Sequence, residues 1–90
     1  MRRVYKYPIP TNFVGLEAVF ELEIPEEAKA LTVQVQNSVP CLWAEVWSSD
    51  EPKKRKFRIV GTGWDIPAFF DYVGTWQEGP FVWHLYERND

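Results

Sequence analysis

The stretch "LEAVFELEI", Leu16 to Ile24, decides the fold. Leu16, Ala18, Phe20, Leu22 and Ile24 fall on one face, and Glu17, Glu21 and Glu23 on the other, with only Val19 breaking the polarity. Apolar residues at a period of two mark a half-buried β-strand. The register is strongly specified, because a slip of one residue would bury the glutamates. Downstream, "IPEEAKA" turns the chain, with Pro25 ending the ladder. "LTVQVQ" alternates again, Leu31, Val33 and Val35 against Thr32, Gln34 and Gln36, and Asn37-Ser38 has the chemistry of a tight hairpin turn.

The next run, "VPCLWAEVW", is apolar on both faces: Leu42, Ala44 and Val46 on one, Cys41, Trp43 and Trp47 with Glu45 on the other. Such a strand is expected to be covered on both faces. "SSDEPKK" is a polar loop, "KFRIVG" and "YVGTW" are further strands, and Glu78-Gly79 is a second expected hairpin turn. "FVWHLYE" is again apolar on both faces. Before Leu16, "RVYKY" is a short strand followed by the loop "PIPTNFVG". Only "DIPAFF" carries a helix signal, with Asp65 as a cap and Pro67 in the first turn, so at most one helical turn is expected near residues 65–71. About seven short strands joined by turns predict a single all-β domain over residues 1–90, an antiparallel sandwich or small barrel.

Composition narrows the function classes. A 90-residue chain makes one domain, and this one carries five Trp, four Tyr and six Phe. That exceeds the need of a small core and points to interfaces or ligand walls. The single cysteine, Cys41, excludes an internal disulfide and a cysteine-cluster metal site, and fits a reducing compartment. "MRRVYKYPIP" has no apolar core of a signal peptide, and no apolar run is long enough to span a bilayer. A net charge of −3 argues against general nucleic-acid binding.

Residues 58–77, "RIVGTGWDIPAFFDYVGTWQ", hold "VGT" twice. A phosphate loop needs a lysine and a following helix, and the dinucleotide fingerprint needs a third glycine in a βαβ unit; neither is present. Structurally, Gly61 and Gly63 read as a bulge or strand exit, and Gly74 as relief of crowding beside a tryptophan. Functionally, Gly61, Thr62, Gly63 and Trp64 read as a loop whose amides meet a ligand oxygen, with Arg58 as its phosphate partner. "KKRKFR", residues 53–58, is either a solvated strand start or an anion site that Arg2, Arg3 and Lys6 join. His84, the one histidine, reads as a hydrogen-bonded core or interface residue. Ser38, Ser48 and Ser49 lack any nucleophile motif, while Asp65 and Asp71 read as cap and turn residues or as an acid–base pair. Gln34, Gln36 and Asn37 form a polar row, either an exposed face or a hydrogen-bonding ligand wall. No enzyme, metal or cofactor is expected.

The pieces "VYKYPI", "IPEEAKALTVQVQN", "PCLWAEV", "RKFRIVGTG", "YVGTWQ" and "FVWHLYE" cover most of the chain in order. In them the sequence resembles a family of short bacteriophage and prophage proteins known as a domain of unknown function. Members of that family often carry histidine after "GTG"; Trp64 stands there in this chain. The resemblance implies a phage-encoded protein acting in the host cytoplasm, and carries no activity with it. By size and lifestyle, such a protein is expected to be a non-enzymatic binder, sequestering an anionic small molecule such as a nucleotide immune signal. The alternatives are an inhibitor of a host defence protein acting through an exposed aromatic face, and a minor virion component. Self-association is expected, with Trp43, Trp47, Trp83 and Tyr86 at the interface.

Overall fold

The structure, a computed structural model, describes residues 1–10 and 18–90. These residues form seven strands: β1 (Arg2–Pro8), β2 (Val19–Pro25), β3 (Lys29–Gln36), β4 (Val39–Trp47), β5 (Pro52–Gly61), β6 (Phe70–Glu78) and β7 (Phe81–Arg88). They form two antiparallel sheets, a three-stranded one in the order β1-β4-β3 and a four-stranded one in the order β2-β5-β7-β6. The sheets face each other as an open sandwich, without barrel closure. No helix occurs among the described residues; at 65–71 the chain runs through a turn at Ala68-Phe69 into β6.

The alternation of "LEAVFELEI" sets the inner face of the larger sheet. Ile24 is buried, Phe20 and Leu22 are half-buried against the core, and Glu21 and Glu23 are exposed. Leu16 and Glu17 lie outside the described residues. Phe20 stacks on Phe57 across the β2–β5 ladder with ring centroids 5.7 Å apart, and Phe57 is fully buried. The other sheet contributes Val33, Leu42, Ala44 and Val46 to the same core. The sheets come closest where β3 meets β6. Gly74 makes this approach possible: a Cβ there would lie 2.5 Å from Val33 Cγ2. The crowding that Gly74 relieves is therefore a valine on the facing sheet, and not a tryptophan.

Turn chemistry explains the connections. Asn37 and Ser38 both have positive φ, at 51° and 66°, which is the two-residue turn whose twist matches a hairpin. The second hairpin turn falls one residue later than the sequence pattern predicts. Glu78 still pairs with Phe81, and Gly79, with φ at 57°, and Pro80 make the turn. The step from β2 to β3 changes sheets through a tight turn closed by Ala28 N–H on the Pro25 carbonyl.

The two strands that are apolar on both faces are central in their sheets, β4 between β1 and β3, β7 between β5 and β6. Their inner rows enter the core. The outer rows are not fully covered: Trp43, His84 and Tyr86 are half-buried and Trp47 is exposed. Chain order and sheet order also part company here. β5 and β6 both pair antiparallel with β7, so they run parallel to each other. Gly61 lies level with Trp83 and Phe70 level with Arg88, so residues 62–69 carry the chain back along β7, about 17 Å at strand rise.

Candidate functional site

Strand parity divides the candidate residues before any side chain is considered. Paired residues of a ladder share a face, and neighbours along a strand alternate. Gly61 and Trp83 pair, and Trp83 also pairs with Trp76, on the inner face of the larger sheet. Arg58 pairs with Tyr86 and Val19 on the outer face.

At the Gly61 end of β5 the chain makes a turn. Trp64 N–H donates to the Gly61 carbonyl at 3.0 Å, and Gly63 takes φ of 91°. A glycine at the third position is what this turn requires. Thr62 N–H donates to the Val82 carbonyl, so two of the loop's amides are spent inside the protein. The turn folds the Trp64 indole onto Gly61, where a Cβ would lie 2.8 Å from the ring. Gly61 thus leaves room for an indole instead of a ligand oxygen.

Trp64 meets Trp83 edge to face, with centroids 5.7 Å apart, and Phe81 stacks on Trp83 at 5.8 Å. Exposure rises along this column of rings: 5% for Trp76, half-buried for Trp83, 55% for Trp64 and 58% for Phe81. The result is an aromatic end to the sandwich, anchored in the core and open to solvent. The same connection exposes Ile66 and Phe69. Phe69 has φ of 68°, a left-handed conformation that a bulky side chain rarely adopts. Asn89 holds it there, its N–H on the Phe69 carbonyl at 2.8 Å and its amide on Asp71 at 2.9 Å.

The outer face of the same sheet carries a hydrogen-bonded row around His84. Thr62 Oγ1 donates to the Val82 carbonyl and lies 2.8 Å from His84 Nε2. Its one proton is spent, so in the neutral imidazole Nε2 is the donor. His84 Nδ1 then accepts from the Thr75 hydroxyl at 2.9 Å, and Thr75 in turn accepts from Tyr72 at 2.7 Å. Both ring nitrogens are satisfied by threonines. His84 fixes strand neighbours to one another, as a hydrogen-bonded structural histidine does.

At the opposite end of β5 lies a charged groove of about 880 Å³, lined by Glu26, Lys54, Arg55, Glu87 and Arg88 among others. Arg55 is its centre. Its guanidinium grips Glu87 with two bonds, at 2.5 and 2.7 Å, and gives a further two to the Pro25 and Ala28 carbonyls. The hydrogen bonds that Arg55 donates to Glu87 hold it above its ordinary pKa, against the opposing effect of burial. Lys53 pairs with Glu26, and Lys54 and Lys56 stand opposite Glu23 and Glu21 in the ladder. Four of the five cations of "KKRKFR" therefore stand against acids, while Arg58 stands between Val19 and Tyr86. Arg2 and Lys6 belong to the other sheet, where they bond Glu45 and Gln36, the latter a member of the polar row that precedes the hairpin.

The structure brings Gly61, Thr62, Gly63 and Trp64 together and leaves Arg58 on the opposite face from Trp64. The four expected interface aromatics are likewise dispersed. Trp43 and Trp47 lie on the outer face of the smaller sheet, Tyr86 on the outer face of the larger, and Trp83 at the aromatic end. Tyr86 packs edge to face on Tyr72. Phe81, which completes the aromatic end, was not among the expected residues; its place beside Trp83, two residues away on one strand face, is the signal that finds it. No curated protein and no solved structure matches the chain. One family does, over residues 1–90, and the chain belongs to it: DUF7352, a domain of unknown function.

Proposed function

We propose that this chain is a non-enzymatic binding protein that engages a partner protein through the aromatic end formed by Trp64, Phe81 and Trp83. One observation carries the reading: two rings more than half exposed are braced against a third that is rooted in the core. Rings held this way contribute large contact area and lose little conformational entropy on binding. Tryptophan in particular is enriched at the energetic centres of interfaces. The polar neighbours Thr62, Asp65 and Glu78 supply a rim. The resemblance to bacteriophage and prophage proteins supports a host-cell setting, and a host protein as the class of partner. Capture of an anionic nucleotide is the less favoured reading. It needs a cation beside Trp64, and Arg58 is on the other face of the sheet.

The test is a comparison of variants. Trp64→Ala and Phe81→Ala together should abolish retention of a specific host protein while the melting temperature stays close to wild type. Trp47→Ala, on the other sheet, should retain it. The proposal fails if retention survives the double substitution, or if a nucleotide quenches Trp64 fluorescence and no protein is retained.

A further inference from the structure

We infer that copies of this chain associate edge to edge, with β1 of one copy adding to β2 of another. The inference rests on the backbone, and on a surface separate from the aromatic end. Two hydrogen bonds fix the phase of the β1–β4 ladder: Ser48 N–H to the Met1 carbonyl and Ile9 N–H to the Pro40 carbonyl. With the register Arg2↔Trp47 to Pro8↔Cys41, the odd-numbered residues of β1 bond β4. The N–H and C=O groups of Arg2, Val4 and Lys6 therefore point away from the sheet. No strand among the described residues takes them up, because β1 is an edge.

The same reading applies to β2. Ile59 N–H donates to the Ala18 carbonyl, which sets Phe20, Leu22 and Ile24 as the residues bonded to β5. The backbone groups of Val19, Glu21 and Glu23 are left pointing out from the second edge. The sheets meet at β3 and β6, so β1 and β2 are the edges on the other side of the sandwich.

Charge then chooses the occupant. β1 carries Arg2, Arg3 and Lys6 with no carboxylate, and β2 carries Glu21 and Glu23 with no cation. Arg2 and Lys6 on β1, and Glu21 and Glu23 on β2, sit on the residues whose backbone groups are free, while Arg3 is one of the residues bonded to β4. Pairing β1 with β1 centred on Val4 sets Arg2 against Lys6, and pairing β2 with β2 about Leu22 sets glutamate against glutamate, both of which are destabilising. Pairing β1 with β2 instead sets Arg2 or Lys6 against Glu21 or Glu23 in any register that overlaps most of the strands. Glu21 and Glu23 each face a lysine of β5 on one side and have their other side open to this partner. Val4 and Tyr5, 57% and 42% exposed on β1, are the apolar surface such a strand addition would cover.

The decisive variant is Val4→Pro. It removes an N–H that points outward and leaves every β1–β4 bond intact, so the fold should keep its melting temperature. Sedimentation of the wild type should show a concentration-dependent associated species, and Val4→Pro should be monomeric. Arg2→Glu with Lys6→Glu should also be monomeric, and so should Glu21→Lys with Glu23→Lys. Mixing these last two proteins should restore association, since each then presents the edge that the other needs. A wild type that stays monomeric at sub-millimolar concentration overturns the inference. So does association unchanged by Val4→Pro and by the charge reversals.

Discussion

The two ends of β5 solve opposite problems with the same strand. At Arg55 a charge enters the sandwich, and every group around it is partnered: Glu87 through two bonds, the Pro25 and Ala28 carbonyls through two more. At Gly61 the chain ends in rings that are packed on one another and left open. A half-buried charge is tolerated only when its partners are complete, because the cost of leaving it alone is several kcal/mol. An exposed ring carries no such penalty, so it can stay available. The closed end holds the sheet to the β2–β3 turn, and the open end is free to meet a partner.

The largest expected effect comes from breaking the closed end. Arg55→Ala should destabilise the protein by roughly 3 kcal/mol, because it strands Glu87 and frees two carbonyls. Chemical denaturation measures this. Arg55→Met with Glu87→Leu should recover most of the loss, since an apolar pair of similar volume replaces the ion pair. If the single and double variants are equally unstable, completeness of the partnering is not what holds that end.

A smaller effect is expected at the open end. Gly61→Ala places a methyl against the Trp64 ring, which is the movable part of an exposed side chain. The indole should swing away at a cost of about 1 kcal/mol, near the low end of overpacking. Tryptophan fluorescence should shift accordingly. A loss of several kcal/mol would mean that the aromatic end is as closed as the other.

The smallest effect concerns Glu26. Its hydrogen bond to Lys53 holds the carboxyl below its ordinary value, while Lys53 is raised by the same contact. A depressed carboxyl adds stability above its unfolded pKa, and that stability is lost as pH falls through the folded value. The pair is fully exposed, so the contribution is slight and salt-sensitive. Glu26→Gln should lower the melting temperature slightly at neutral pH and above and converge with wild type in acid, so that the acid limb of the profile is a little flatter.

Much of this was legible in the chain. The strands of "LEAVFELEI" and "VPCLWAEVW" follow from period-two alternation, and Asn37-Ser38 from the side chains that tolerate positive φ. Parity alone also separates Arg58 from Gly61, since an odd spacing on a strand means opposite faces. What sequence proximity suggested as one site is two faces for that reason. The Arg55–Glu87 pair and the Trp64–Trp83–Phe81 stack have no such local signature. Each depends on β7 lying beside β5, and strand order within a sheet is set by packing and not by the pattern of any single strand. Gly74 shows the same limit: its close neighbour Val33 belongs to the other sheet.

The place of β7 has a consequence for synthesis. The seventh strand lies between the fifth and the sixth, so β5 lacks its second neighbour and β6 lacks its only one until β7 leaves the ribosome. Until then β5 is joined at most to β2, and β6 has no strand of its own sheet to pair with. The apolar rows of "KFRIVG" and "YVGTW" therefore lack a sheet neighbour until residues 81–88 are free to pair. Completion of the larger sheet is a single late event, coupled to the emergence of one hairpin arm.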